Sequence, residues 1–264
     1  MTAAFPEALE RFRRDYGAHR AAEGRGHDGA ELLSLPYLAT GQLARQWAVR
    51  ARTFDAFLRT IVRPAERTFD VLDLGAGNGW LSYRLSLDGH RCTAIDIRDD
   101  AVDGLGAAVP FLQRTSFSCL VASFDTVPLP DACADIAAFN ASLHYTIDLE
   151  ATLAEAARLV RPGGMIAILD SPFYESEADG AAMVAEKHAA ATLRFGDRAD
   201  SLLALPFIEF LTVERLARAS ASAGLAWQRT RVRYPFWYER RAVAALVSRK
   251  RAPSRFDLWT ARRP

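Results

Sequence analysis

The sequence predicts an α/β fold with a doubly wound, mostly parallel sheet of seven strands behind an N-terminal helical cap. Five short runs are apolar throughout, as strands are when helices cover both faces of their sheet. They are FDVLDL (69–74), CTAIDI (92–97), SCLVAS (118–123), DIAAFN (135–140) and MIAILD (165–170). Helix-compatible segments lie between them, at 79–89, 98–108 and 148–160. This alternation is typical of a parallel sheet.

Residues 1–65 are predicted to form the helical cap, which we expect to act as a lid. The segments 6–20 and 40–62 are amphipathic and are separated by a glycine-containing loop that includes Pro36. The apolar face of the second segment repeats at helical spacing; it consists of Leu43, Trp47, Phe54 and Leu58. Pro64 is expected to end this helix.

Residues 66–264 are predicted to form the main domain, with a lid insertion at about 172–212. Helices are expected at 178–195, 211–224 and 238–250, and Thr212 is the predicted N-cap of the second. The segments 226–234 and 256–263 are the last two predicted strands, and they complete a sheet of seven.

Composition excludes several classes of protein. The chain has 264 residues, half of them apolar, and 33 Lys and Arg balance 32 Asp and Glu, so no global charge requires nucleic acid or a membrane as partner. Three cysteines without paired spacing argue against a disulfide framework and against a zinc site. No signal-peptide pattern and no apolar run of membrane-spanning length is present, so we expect a soluble, cytoplasmic protein.

The stretch VLDLGAGNGW (71–80) predicts a ligand-binding turn after the first strand. Glycine is needed where the backbone takes a positive φ or closely approaches another group. In the dinucleotide fingerprint G-x-G-x-x-G the third glycine would fall at position 80, which is Trp80. Asp73, two residues before Gly75, suits a cationic group better than a pyrophosphate, which prefers bare helix N–H groups.

A second acidic residue, Asp96, lies at the end of the second predicted strand, 17 residues after Gly79. A carboxylate at this place can accept hydrogen bonds from both hydroxyls of a ribose. The ribose must be unmodified, because a 2′-phosphate would be repelled.

Four segments together resemble the class I S-adenosylmethionine-dependent methyltransferases that act on small molecules, with a Methyltransferase-11-like domain. The resemblance covers about Thr68 to Pro172 and rests on DLGAGNG, AIDI, VPLPDACADIAAFNASLHY and AEAARLVRPGGMIAILD. It implies a Rossmann-like fold, S-adenosyl-L-methionine as the cofactor, S-adenosyl-L-homocysteine as its product, and no metal.

The resemblance also implies a set of cofactor-binding residues. Asp73 faces the methionine ammonium, the glycine loop passes against the ligand, and Asp96 holds the ribose. Many relatives have an acid where Ser123 stands, so here the adenine contact is expected to rest on backbone groups and on Phe124. The full expected set is Asp73, Gly75, Ala76, Gly77, Asp96, Ile97, Ser123, Phe124 and Asn140.

The loop after the fourth predicted strand lies beside the transferred methyl group in the resembling family. His144 could take a proton from an acceptor hydroxyl or amine, or it could pack under the cofactor or cap the next helix. Tyr145 stands where a second histidine is common, and it has the same two interpretations.

Aromatic residues outside the sheet are candidates for binding the acceptor, which would suit a flat or hydrophobic small molecule. The alternative is that these rings pack additional helices onto the sheet. The candidates are Tyr37, Trp47, Phe173 and Tyr174.

Two further functions stay open from the sequence. Residues 225–264 contain eleven Lys and Arg against two acids, and a basic edge of this kind could serve an RNA or protein methyltransferase. A non-catalytic protein that binds S-adenosylmethionine is the other alternative. The sequence does not indicate an oligomeric state.

Overall fold

The computed structural model describes residues 7, 10–12, 14–16, 26–27, 29–196 and 199–264. The first predicted helix, 6–20, therefore lies partly outside the described residues, and its described positions are helical. Within these ranges, no helix combines the length and the apolar character that crossing a bilayer requires.

Seven strands form one sheet, which confirms the predicted fold class. The strands are β1 (Asp70–Leu74), β2 (Arg91–Asp96), β3 (Ser118–Val121), β4 (Ala134–Asn140), β5 (Val160–Leu169), β6 (Trp227–Thr230) and β7 (Leu258–Arg262). Their order is β3-β2-β1-β4-β5-β7-β6. All paired strands are parallel except that β7 runs antiparallel to both of its neighbours. The carboxyl ends of β1 to β5 therefore meet at one edge, where ligands bind in open α/β sheets.

Helices flank the sheet. They are α1 (Gly29–Ser34), α2 (Ala44–Phe57), α3 (Trp80–Leu87), α4 (Val109–Leu112), α5 (Leu149–Leu159), α6 (Glu177–Phe195), α7 (Ala199–Leu203), α8 (Val213–Ser220) and α9 (Phe236–Val247). Helix α2 continues as a π-helical turn and then a 3₁₀ turn that ends at Ala65. The Thr212 side chain accepts a hydrogen bond from the Arg215 N–H, so the predicted N-cap of α8 is confirmed.

The cap helix α2 packs onto the main domain through aromatic side chains. The ring centre of Trp80 lies 5.7 Å from that of Trp47 and 5.4 Å from that of Phe54, in edge-on arrangements. All three side chains are buried. Trp80 stands where a dinucleotide fingerprint would have glycine, and in this chain it is the residue on which α2 packs.

The predicted helix at 98–108 is wrong, because side-chain hydrogen bonds hold the chain in a turn. Asp100 Oδ1 accepts from the N–H groups of Val102 and Asp103, both at 3.0 Å, which competes with helix formation. A 3₁₀ turn follows at Leu105–Ala108 and leads into the short helix α4.

The predicted strand at 226–234 is shorter than expected. After Thr230 the chain leaves the ladder, and the Val232 N–H donates to Asp257 Oδ1 at 2.9 Å. The Asp257 carboxylate therefore accepts the hydrogen bond that a carbonyl oxygen of a neighbouring strand would accept in the ladder.

Candidate functional site

A cavity of about 710 Å³ lies at the carboxyl ends of the parallel strands. Its walls contain most of the expected cofactor-binding residues, namely Gly75, Ala76, Gly77, Asp96, Ile97, Ser123, Phe124 and Asn140. The turns after β1, β2, β3 and β4 thus converge, although they are distant in the sequence. Topology explains this, since the carboxyl ends of neighbouring parallel strands share one edge.

The glycine turn after β1 is tight against the turn after β4. Gly75 has a φ of +76°, which side chains rarely allow. A Cβ atom built on Gly75 would lie 2.4 Å from the Cβ of Ser142. The N–H groups of Gly75 and Ala76 both donate to the Ile95 carbonyl oxygen, at 2.8 and 2.9 Å. The absent side chain at Gly75 therefore makes room for a neighbouring loop within the cavity wall.

Asp96, at the end of β2, is held in place by the backbone. Its Oδ2 accepts from the Gly77 N–H at 2.8 Å, and its Oδ1 accepts from the Arg98 N–H at 2.9 Å. Burial raises the pKa of the Asp96 carboxyl, while these two hydrogen bonds and the charge of Arg98 act in the opposite direction. The result is a half-buried carboxylate with fixed orientation on the cavity wall.

Asn140, at the end of β4, is 7% exposed and also lines the cavity. Its Oδ1 forms no hydrogen bond with any part of the chain that the structure describes. A buried polar atom without a partner costs about 1–3 kcal/mol. A ligand that donates a hydrogen bond to this oxygen would recover that free energy.

Asp73 lies behind the glycine turn and is not among the residues that line the cavity. It is fully buried, and its Oδ2 accepts from the N–H and the hydroxyl of Ser82 in α3, at 3.3 and 3.0 Å. Burial raises the pKa of Asp73 to about 7, although the two hydrogen bonds from Ser82 lower it in part. In this structure the carboxyl joins β1 to α3.

Aromatic side chains from separate parts of the chain form a roof over the cavity. We define the roof as Phe12, Tyr16, Tyr145 and Phe207, all of which line the cavity. The hydroxyl oxygens of Tyr16 and Tyr145 are 2.8 Å apart. The ring of Phe207 packs edge-on against Phe12 at 5.1 Å and against Tyr145 at 5.5 Å between ring centres. The Arg98 guanidinium lies 4.9 Å from the centre of the Tyr16 ring.

The two predicted catalytic residues differ in position. Tyr145 belongs to the roof, whereas His144 is not among the cavity-lining residues. The His144 ring packs against that of Tyr145, 4.3 Å between centres, and its carbonyl oxygen accepts from the Glu209 N–H. Tyr145 is therefore the better placed of the two to contact an acceptor.

Of the four aromatic residues predicted to bind the acceptor, Trp47 lines the cavity and the other three do not. The Tyr37 hydroxyl donates to Asp55 Oδ1 at 2.8 Å. Phe173 stacks on Trp259 with 4.8 Å between ring centres, and Tyr174 packs edge-on against Phe210. These three rings pack parts of the chain together, as in the alternative interpretation of the sequence.

Several cavity-lining residues were missed by sequence reasoning. The polar ones include Asn78, Arg98, Asp103, Asp125, Thr126 and Asp148. Asp125 had a signal, because it lies two residues beyond Ser123 in the same turn. Its carboxylate accepts hydrogen bonds from the hydroxyls of Thr146 and Thr152. Phe12, Tyr16 and Phe207 had no signal, because tertiary packing alone places them at the cavity.

A family model described as "Methyltransferase domain" matches residues 72–168, which include the glycine turn, Asp96, Asn140 and Tyr145. This segment of the chain belongs to the class I S-adenosylmethionine-dependent methyltransferase family. It runs from β1 nearly to the end of β5, so it contains the part of the sheet that forms the cavity floor.

Curated relatives of the chain include malonyl-[acyl-carrier protein] O-methyltransferases. The protein from Serratia marcescens is 35% identical over 96 residues, which is 36% of this chain and 36% of that protein. The protein from Hahella chejuensis is 26% identical over 161 residues, 59% of this chain and 50% of that protein. The chain thus spans about a third to a half of the length of these relatives.

Solved structures share the fold of this chain at low sequence identity. The 1,6-didemethyltoxoflavin-N1-methyltransferase of Burkholderia thailandensis, solved with 1,6-didemethyltoxoflavin and S-adenosylhomocysteine, has a TM-score of 0.57 and 21% identity. The match covers 100% of this chain and 92% of that one. The [4+2]-cyclase SpnF also shares the fold, with a TM-score of 0.51, 19% identity and about four fifths of each chain covered. The fold is therefore compatible with more than one reaction.

Proposed function

We propose that this protein transfers the methyl group of S-adenosylmethionine to an oxygen, nitrogen or carbon nucleophile of a small-molecule acceptor. The main support is the Asp96 carboxylate, which two backbone N–H groups fix on the cavity wall next to the glycine turn. This arrangement suits a ribose without a phosphate.

The residues of the cavity fit this cofactor. Asp96 would accept from the ribose hydroxyls, Ile97 and Phe124 would contact the adenine, and the turn of Gly75 to Gly77 would pass against the ligand. The buried Asn140 Oδ1 offers an acceptor to a donor group of the cofactor. Asp73 does not line the cavity, and it would act on the cofactor only indirectly, by joining β1 to α3 on either side of the glycine turn.

The bound cofactor would supply a methyl group already activated by the positive charge on sulfur. The protein then has to align the acceptor and exclude water. Tyr145 and Tyr16, whose hydroxyls are 2.8 Å apart, form a polar pair within the apolar roof. We propose that Tyr145 orients the acceptor by a hydrogen bond and that Tyr16 holds the Tyr145 hydroxyl in place.

The roof also supports the predicted lid. Phe12 and Tyr16 come from the cap at 1–65, and Leu205 and Phe207 come from the insertion at about 172–212. We propose that both segments act as lids and that they exclude water from a flat or hydrophobic acceptor.

Ion pairs reduce the charge of the basic C-terminal segment only in part. Arg229 and Arg255 both pair with Asp257, and Arg251 pairs with Glu186. Three of the eleven basic residues at 225–264 are thus paired with acids. Salt-dependent binding of RNA by the wild type would therefore support the RNA methyltransferase alternative.

Calorimetry with S-adenosylhomocysteine tests the cofactor site. We expect saturable binding by the wild type and a loss of at least about tenfold in Asp96→Ala, because the ribose acceptor and the fixed turn are both removed. The matched control is Asp88→Ala, an exposed acid after α3 that should bind like the wild type. Absence of binding by the wild type would overturn the proposal.

An activity screen tests the reaction. Release of S-adenosylhomocysteine would be followed with phenols, amines, quinones and carboxylic acids as acceptors, and methylated products would be identified by mass spectrometry. Turnover with a member of these classes supports a small-molecule methyltransferase. Tight cofactor binding with no turnover in any class would instead support the non-catalytic alternative.

A further inference from the structure

A second cavity, of about 350 Å³, adjoins the first. Its volume lies within the range of about 300–1,000 Å³ that is usual for small-molecule sites. It is lined by Arg45, Gln46, Val49, Arg50, Asp170, Trp237, Tyr238, Arg241 and Phe256. Arg50 lines both cavities, so its side chain forms part of the wall between them.

Asp170 is the buried acidic residue of this second cavity. It directly follows β5, has a φ of +52° and is 6% exposed. Neither of its carboxylate oxygens meets the geometry of a hydrogen bond with the residues that the structure describes. Burial raises the pKa of Asp170 to about 6, and the charge of Arg50 and the nearby hydroxyl of Thr53 lower it only in part. A ligand that brings a positive charge or a hydrogen-bond donor would stabilise the ionised form of this buried carboxylate.

The outer part of the cavity has the opposite charge. Arg45 and Arg241 are exposed residues that lie over aromatic rings. The Arg45 guanidinium is 5.5 Å from the ring centre of Trp237, and that of Arg241 is 4.6 Å from the ring centre of Tyr238. Guanidinium groups held on aromatic faces in this way keep their donors available for a carboxylate.

We propose that the second cavity binds a zwitterionic aromatic compound. Its ammonium group would pair with Asp170 at the bottom, its ring would lie against Trp237 and Phe256, and its carboxylate would meet Arg45 and Arg241 at the opening. The proposal rests on the proposed function, which it deepens by naming the acceptor class: a group of this ligand that passes beside Arg50 would reach the cofactor cavity.

Titration with 4-(aminomethyl)benzoate tests the proposal at pH 7.5, with and without saturating S-adenosylhomocysteine. Benzoate and benzylamine, which each lack one of the two charged groups, are the matched probes. We expect saturable binding of 4-(aminomethyl)benzoate that is at least about tenfold tighter than that of either probe, because two charge-assisted contacts form instead of one. Binding no tighter than that of the two probes would overturn the proposal.

Two variants locate the site. Asp170→Asn keeps the shape of the side chain and removes its charge, and it should weaken 4-(aminomethyl)benzoate at least about tenfold while benzoate binding stays unchanged. Arg241→Gln should weaken the zwitterion and benzoate alike. Arg240→Gln is the control for Arg241, because Arg240 is exposed on the same helix and lies over Phe236, outside the cavity.

The outcomes separate this proposal from the proposed function. If S-adenosylhomocysteine binds and the zwitterion does not, the second site is refuted and the cofactor site stands. If the zwitterion binds and S-adenosylhomocysteine does not, the second binding site stands, but the proposed function and the assignment of this ligand as the methyl acceptor both fail. If Asp170→Asn binds the zwitterion as tightly as the wild type does, with a cooperative melting transition at or above the wild-type temperature as proof of folding, the role of Asp170 is refuted.

Discussion

A Cβ atom on Gly75 would lie 2.4 Å from the Cβ of Ser142, because the turns after β1 and β4 pass against each other in the cavity wall. Ser142 is itself fixed there, since its hydroxyl donates to the Leu74 carbonyl oxygen at 2.5 Å. The two turns therefore form one unit, and a change in either one alters the surface that the cofactor would contact.

Gly75→Ala should lower the free energy of unfolding for two reasons. A side chain at positive φ costs about 1–2 kcal/mol, and the clash with Ser142 adds to it. Gly89→Ala isolates the first term, because Gly89 has a φ of +87° and open space around its missing Cβ. Chemical denaturation should show a larger loss for Gly75→Ala than for Gly89→Ala, and Ser142→Gly should recover part of the difference. Equal losses in the two alanine variants would contradict the steric role of Ser142.

Tyr145→Phe should lower kcat by about tenfold or more, as expected when a hydrogen bond that orients the reacting group is lost. His144→Gln should have a smaller effect, because His144 is not among the cavity-lining residues. Steady-state kinetics with an acceptor from the activity screen would measure both, and KM for S-adenosylmethionine should change little. A larger loss of kcat in His144→Gln would assign the catalytic role to the histidine instead.

Arg158→Lys should destabilise the turn that follows β3. The Arg158 guanidinium binds Glu155 and Asp131 and donates to the carbonyl oxygens of Leu129 and Val127. Lysine cannot reproduce this fork of donors, so we expect a loss of about 1–3 kcal/mol in the free energy of unfolding.

The turn held by Arg158 continues from residues 123–126, which line the cofactor cavity. The affinity of Arg158→Lys for S-adenosylhomocysteine should therefore fall as well. Arg59→Lys, an exposed change in the cap, is the control and should leave both quantities unchanged. An unchanged free energy of unfolding in Arg158→Lys would show that the hydrogen bonds of the Arg158 guanidinium do not stabilise the protein.

Asp170→Asn should stabilise the protein without ligands in a pH-dependent way. The folded pKa of about 6 lies above the usual value of 3.8, so folding favours the protonated carboxyl. The wild type therefore loses stability as pH rises from about 4 to 6, and the asparagine variant does not. The difference in the free energy of unfolding between the two proteins should level off above pH 6 at about 3 kcal/mol. Denaturation of both proteins at pH 4, 5, 6 and 8 would measure it, and a constant difference would contradict the buried charge.

The sequence was sufficient to predict the structure at positions where a short local pattern determines it. The strand ends at Asp96 and Asn140 and the turn at Gly75 follow from short motifs, and all three line the cavity. The predicted helix at 98–108 failed because Asp100 bonds to backbone groups of the turn, which periodicity does not reveal.

The aromatic residues show why the rest of the site was harder to predict. Tyr37, Phe173 and Tyr174 are aromatic residues outside the predicted strands, as Phe12 and Phe207 are, yet only the latter two line the cavity. Phe173 instead stacks on Trp259, more than eighty residues away in the sequence. Tertiary contacts of this range decide which rings reach a ligand, and no local property of the chain indicates them.

The four rings of the roof come from three stretches of chain that are remote from one another in sequence. Contacts of such long range form late in folding, because the loops between them must close first. The sheet, with its neighbouring strands, can therefore be complete while the chamber beneath the roof is still open. A protein that folds in this order forms its sheet before it forms the surface that selects the acceptor.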